Sequence, residues 1–177
     1  VENCLIDGNN ATQTGGGILF HPHSTNYQAT LKNCIITNNQ SPDGSGIKAY
    51  PFLSLPDFPA NASVHIENSL VAGNFGGTTA ISAETAPNFS LLNATVANNA
   101  GDGVEITSQT SLRLQNTILY NPGFTEFTSS GSGNSFTSAG GNLIGDLSLD
   151  GQLVPGDKQD LDPLFEGAGS YQLTMSS

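Results

Sequence analysis

The sequence predicts an all-β solenoid, about six coils long, with three short strands in each coil. Three observations predict it. First, Leu31-Lys32-Asn33-Cys34-Ile35-Ile36-Thr37-Asn38-Asn39 recurs as the stretches 1–9, 66–74 and 91–99 and, shortened, as 114–121. Self-similarity at such a period marks a repeat array. Second, a glycine-rich passage leads into another apolar run after each copy: Gly15-Gly16-Gly17-Ile18, Gly44-Ser45-Gly46-Ile47, Gly76-Gly77-Thr78-Thr79-Ala80-Ile81 and Gly101-Asp102-Gly103-Val104. Third, sustained runs of helix formers are missing. Asn, Gly, Ser and Thr fill the intervals, and only 11% of the 177 residues are charged, against about 25% in ordinary domains. Recurrent clusters of Ile, Leu and Val argue against disorder.

Within a repeat the first element is the strand before the anchor asparagine at 3, 33, 68, 93 or 116. Apolar Ala29, Val64, Phe89 and Leu112, then Leu31, Ile66, Leu91 and Leu114, alternate with Thr30, His65, Ser90 and Arg113. That is the period of a half-buried strand. The alternation breaks at the anchor, where Asn suits a bend because it tolerates the left-handed region. Asn3, Asn33, Asn68, Asn93 and Asn116 are expected to stack at the strand spacing, about 4.8 Å, as an internal ladder of amides.

A slot for small side chains follows (Cys4, Cys34, Ser69, Ala94, Thr117), and then a second strand with Ile6, Ile36, Val71, Val96 and Leu119 inward. Its outward residues, Leu5, Ile35, Leu70 and Ile118, are too apolar for a plain solvent face, so either the parity slips or something covers them. Gly or Asn then turns the chain, and the glycine passage opens the third strand.

Insertions lengthen some coils. One is 21–27. The largest is 50–62, where Pro51, Pro56 and Pro59 resist strand pairing. The domain reads as one unit over 1–177, with regular coils over 1–121, a Ser- and Gly-rich loop over 122–140, and a last coil with a closing segment over 141–177. The chain opens inside a repeat, as a piece of something longer would.

The charge narrows function. The net charge is −11 with only four Lys and Arg, which excludes the basic clusters that nucleic acid or anionic lipid require. No apolar run approaches a membrane span. Cys4 and Cys34 share one slot in adjacent repeats. They read as small buried thiols, with a disulfide left open.

Candidate chemistry sits near the glycine strand. Asp43, Lys48, Glu84, Asp102 and Glu105 could line one face. Glycoside hydrolysis would need two carboxyl groups roughly 5–9 Å apart, and acids beside glycine turns also serve as turn formers. Lys32 and Arg113 fall in nonadjacent repeats, unlike a lyase cluster. His21-Pro22-His23 lacks a third ligand, and His65 is an outward strand residue. Asp57, Asp146, Asp150, Asp157, Asp160 and Asp162 could supply oxygens to Ca²⁺, although no EF-hand loop or nonapeptide repeat is present. No cofactor is expected. Asn10, Asn61, Asn88 and Asn93 begin glycosylation-like sequons, which an Asn-rich chain produces by chance, and a ladder residue at 93 would be buried.

The repeat, with Gly141-Asn142-Leu143-Ile144-Gly145-Asp146, Asp160-Leu161-Asp162-Pro163-Leu164-Phe165 and Tyr171 in the tail, resembles right-handed parallel β-helix proteins of bacterial surfaces. The likeness extends to polymorphic-outer-membrane-protein-like repeats and choice-of-anchor proteins. It covers essentially the whole chain. It implies an extracellular or cell-surface protein, adhesin-like, whose module presents loops on a stiff rod without catalysis. A glycan or a surface protein would be the partner. Two alternatives stand beside it: a β-helix that binds or cleaves polysaccharide, and a module that self-associates end to end through exposed strand edges.

Overall fold

The computed structural model describes residues 1–22, 26–51, 62–86, 88–166 and 171. The first coil holds β1 (Leu5–Asp7), β2 (Ile18–Phe20) and β3 (Gln28–Lys32). The second holds β4 (Ile35–Thr37), β5 (Ile47–Ala49) and β6 (Ser63–Glu67), the third β7 (Leu70–Ala72), β8 (Thr79–Glu84) and β9 (Asn88–Leu92). β10 (Thr95–Ala97), β11 (Asp102–Thr107) and β12 (Ser111–Gln115) form the fourth, and β13 (Ile118–Tyr120), β14 (Phe127–Ser130) and β15 (Ser135–Ser138) the fifth. β16 (Leu143–Ile144) and β17 (Lys158–Gln159) extend the stack.

The strands pair only with their equivalents in neighbouring coils, always in parallel. Three sheets result. Face I is β1-β4-β7-β10-β13-β16-β17, face II is β2-β5-β8-β11-β14, and face III is β3-β6-β9-β12-β15. This is a parallel β-helix. The core consists of columns of like residues. Ile36, Val71, Val96, Leu119 and Ile144 stack in register on face I, all fully buried. Leu31, Ile66, Leu91 and Leu114 do the same on face III. Truncating such a residue to Ala costs about 2–5 kcal/mol.

The corners explain the asparagines. Asn3, Asn33, Asn68, Asn93 and Asn116 turn the chain from face III to face I with φ between 48° and 54°. Their amides do stack, Nδ2 to the Oδ1 of the preceding coil, at 3.0, 3.3, 3.0 and 3.1 Å. The stack lies outside, however, and all five side chains are exposed. A left-handed residue at this bend points its Cβ away from the core. Asn93 is therefore not shielded as the sequence suggested.

The internal ladder stands at the opposite corner, between faces I and II. Its rungs are Asn9, Asn39, Asn74, Asn99 and Asn121, the last residue of each turn, and the last four are buried. Asn39 Oδ1 accepts the backbone N–H and the Nδ2–H of Asn9 at 3.0 and 2.9 Å. Asn74 receives Asn39 in the same double way at 3.0 and 3.0 Å, and Asn99 receives Asn74 at 3.0 and 2.9 Å. Each amide also donates to a carbonyl of the coil below, Asn74 to Ile36 and Asn99 to Val71. The turn backbone is thus satisfied by side chains in a place water does not reach.

Glycine makes room for that ladder. A Cβ on Gly103 would sit 2.6 Å from the Glu126 carbonyl oxygen and 3.1 Å from Asn121 Nδ2. Gly46 would meet Val71 at 2.8 Å and Asn74 Nδ2 at 3.1 Å.

Two further expectations need correction, and one open alternative is decided. The stretch 122–140 is not one loop, because β14 and β15 fall within it and pair with β11 and β12. Phe127 and Phe136, with ring centroids 5.4 Å apart, give it an apolar side that its serines obscured. Cys34 is buried but Cys4, in the first coil, is exposed, and both thiols are free. Parity on face I does not slip. The tail runs back across that face, with Leu161, Pro163 and Leu164 beside Ile118 and Leu143, and Tyr171 beside Ile35, Leu70 and Thr95. Phe165 stands edge-on to Tyr120 at 6.4 Å and to Tyr171 at 5.6 Å. Leu5, away from the tail, remains 67% exposed, and Ile35 beside Tyr171 is still 45% exposed.

Gly103→Ala should destabilise the protein by about 1–3 kcal/mol, since the methyl meets backbone that cannot swing aside. Urea unfolding monitored by circular dichroism measures it, and an unchanged midpoint would contradict the packing described.

Candidate binding face

Parallel register decides which side chains meet. Lys48, Ser82, Glu105 and Thr128 occupy one outward column of face II, one residue per coil. Lys48 Nζ lies 2.8 Å from Asp43 Oδ2 and 3.7 Å from Glu84 Oε2, and donates to Ser82 Oγ at 2.9 Å. Ser82 in turn donates to Glu105 Oε2 at 3.4 Å. The ammonium also sits 5.9 Å from the centroid of the Tyr50 ring, close enough for a cation–π contact. His21 stacks on the other side of this neighbourhood, its ring 4.7 Å from Tyr50.

Four of the five residues singled out from sequence thus form one hydrogen-bonded cluster. The fifth does not join it. Asp102 lies at the start of β11 and accepts the Thr125 backbone N–H at 3.0 Å, tying down the turn before β14. Ser82 and Tyr50 were not singled out. Ser82 was readable, because aligning Ile47-Lys48-Ala49 with Ile81-Ser82-Ala83 and Val104-Glu105-Ile106 puts it between the lysine and the glutamate.

Chemically the cluster is occupied with itself. Lys48 is only 6% exposed and is compensated by two carboxylates and a hydroxyl. A buried cation requires such partners. Asp43 and Glu84 are its counter-ions. Of the two loops that flank the region, residues 23–25 and 52–61 lie outside the described residues, so His23, Asp57, Asn61 and most of the proline-rich insertion are not placed.

One carboxyl group is strongly perturbed, and it is elsewhere. Burial pushes Glu126 from 4.5 up to about 7. Two N–H groups of Asn121 pull it back down, and neighbouring Asp146 and Asp102 push it further up. Perturbed acids often mark active sites, but Glu126 is 2% exposed and ends the internal ladder. Its Oε1 takes the Asn121 backbone N–H and its Oε2 takes Asn121 Nδ2–H at 2.7 Å. Asp157 closes a second stack in the same manner, taking Asn142 N–H and Nδ2–H at 2.9 and 3.1 Å on Oδ1. Among the described residues, no three His, Cys, Asp or Glu side chains converge as a metal site.

Face III differs. His65, Ser90, Arg113 and Thr137 form its outward column, and a groove of about 360 Å³ runs along it. His65 Nδ1 and Ser90 Oγ are 2.7 Å apart. Lys32, at the edge of this face, pairs with Glu67 at 3.7 Å.

Compared with known proteins, the chain matches no family, no curated protein and no solved structure.

The Glu126 shift fixes a pH dependence. An acid whose folded-state value lies above its unfolded one stabilises the fold while protonated, below about 4.5, and that contribution is lost as the pH rises through about 7. The protein should therefore be less stable at about pH 8 than at about pH 5, by roughly 1–3 kcal/mol from this group. Glu126→Gln keeps an acceptor oxygen without the charge. It gives up one of the two hydrogen bonds from Asn121, but its melting temperature should change less with pH than the parent's. Scanning calorimetry across that range measures it, and parallel curves for the two proteins would contradict the assignment.

Proposed function

We propose that this β-helix is a non-catalytic binding and display module: a stiff rod that holds carbohydrate or a surface protein on its outer faces and loops. One observation carries the reading. Asp43 and Glu84 are the counter-ions of Lys48 and Asp102 is engaged with the Thr125 backbone, which leaves Glu105 without a second free carboxyl group beside it among the described residues of this face, where glycoside cleavage would need a pair. The likeness of the repeat to exported bacterial β-helix proteins supports an extracellular or cell-surface setting. Insertions collect at one corner, between faces II and III, as binding loops do in repeat arrays. The net charge of −11 favours partners that are neutral or sparsely charged.

Incubation with a panel of neutral and acidic polysaccharides tests this. Retention on one or more of them, with no new reducing ends and no unsaturated products, is the expected outcome. Product formation that Glu105→Gln or Glu84→Gln abolishes would replace the proposal by an enzymatic one.

A further inference from the structure

We propose that the groove on the outside of face III binds a sparsely charged acidic glycan, with Arg113 taking its carboxylate or sulfate. This rests on the reading of the domain as a glycan-binding module, and it assigns the site and the ligand charge.

The first observation concerns charge. The chain has four Lys and Arg against fifteen Asp and Glu, so each cation could easily find an acid. Lys48 has two and Lys32 has one. Arg113 has none among the described residues. Its guanidinium is exposed and donates only to the neutral Gln115 Oε1, at 2.9 Å. Lys158 is likewise without an acid, but it lies on face I, in β17.

The second observation concerns the surroundings. The groove that holds Arg113 is lined without a single Asp or Glu. Its polar groups are hydroxyls, an amide and the imidazole. They are arranged in pairs across the strands: His65 with Ser90 at 2.7 Å, and Ser135 donating to Ser111 at 2.8 Å. Each hydroxyl keeps further donor or acceptor capacity for a ligand. The neighbouring rungs repeat at about 4.8 Å along a straight line, which suits a linear chain with hydroxyls recurring along its length. Phe89 and Leu112 contribute to the groove floor but point into the core, both 1% exposed. The surface therefore offers no apolar pocket of the kind that anchors a peptide side chain.

The third argument is chemical. A guanidinium presents a planar fork that matches carboxylate or sulfate oxygens in pairs. A single such fork in a protein of net charge −11 cannot hold a dense polyanion against long-range repulsion. It can hold one acidic group on a chain whose other contacts are neutral. Ser90, adjacent to Arg113 in the same column, is placed to bond the same sugar.

Isothermal titration calorimetry tests the proposal on the whole chain with four probes: a gluco-oligosaccharide bearing glucuronate, a sulfated gluco-oligosaccharide, the uncharged gluco-oligosaccharide, and an oligoglutamate peptide. One or both of the acidic sugars should bind more tightly than the neutral one, and the two arms separate carboxylate from sulfate. Arg113→Gln should weaken the acidic sugar about tenfold or more and leave the neutral one unchanged. Ser90→Ala should weaken both a few-fold. Lys158→Gln, on the other face, should change nothing. Melting temperatures of the three variants should match the parent, because the replaced side chains are outside the core.

Equal loss in Arg113→Gln and Lys158→Gln would overturn the site, as would acidic-sugar binding indifferent to Arg113. Tight binding of the neutral sugar alone would overturn the charge assignment while the glycan-binding reading stands. Preference for the peptide would overturn the ligand class. Failure of every sugar would overturn this site, and retention on the polysaccharide panel would then show that the broader reading survives without it.

Discussion

The interior asparagine ladder is the constraint on which the remaining structure depends. Turning a chain from one sheet to the next inside a closed cylinder buries backbone N–H groups that no strand can pair. One Asn per coil solves this, because its single carbonyl oxygen accepts two N–H groups from the coil beneath while its own NH₂ passes the pattern on. The backbone donors fix which way each amide points, so all rungs are oriented alike. Such a chain of aligned amides polarises cooperatively and presents N–H groups at its far end. A carboxyl group with two oxygens to receive them is the stop there, and Glu126 supplies it. The exposed Asn33-type stack runs with its donors in the opposite sense, and it lines the outside of the other tight bend.

This requirement partitions the molecule. The ladder Asn is held in register, since it must meet the rung above and below. The bend at Asn33 is short in every coil. The stretches 21–27 and 50–62 fall at the corner between faces II and III, and the passage from the ladder Asn to face II also differs in length from coil to coil. Along the faces, strict parallel register turns three separate sequence repeats into straight columns of side chains. On face II the column carries Lys48, which Asp43 and Glu84 beside it neutralise. On face III it assembles hydroxyls, an imidazole and one guanidinium that no acid among the described residues pairs. On face I it produces an apolar strip, and Leu161 to Phe165, with Tyr171, lie against part of it.

Much of this was legible in the sequence. The repeat gave the coils, the strand periods and the parallel stacking of like residues, and the aligned glycine strands gave the Asp43–Lys48–Glu84–Glu105 neighbourhood. What could not be separated by pattern alone was which asparagine is inside. Both corners use Asn, one for its left-handed backbone and one for its amide. Two details distinguish them in retrospect. The anchor position accepts Gly141 in the sixth coil, so backbone freedom is what it needs. In the fifth coil the turn loses its left-handed residue yet keeps Asn121, so there the amide is indispensable. The 122–140 stretch was misread because Ser and Gly weigh heavily in composition, whereas pairing partners on β11 and β12 and two phenylalanines decide the structure.

The most direct measurement is the unfolding free energy of Asn74→Ala compared with Asn68→Gly in the same coil. Asn74 accepts two N–H groups of Asn39 and donates to the Ile36 carbonyl, and each buried group left unpaired costs about 1–3 kcal/mol. A loss of roughly 3 kcal/mol or more, or failure to fold, is expected for Asn74→Ala. Asn68→Gly keeps the bend and gives up two exposed hydrogen bonds, one to Asn33 and one from Asn93, whose groups can turn to water instead, so a change within about 1 kcal/mol is expected. Equal losses, or a larger loss at Asn68, would contradict the account.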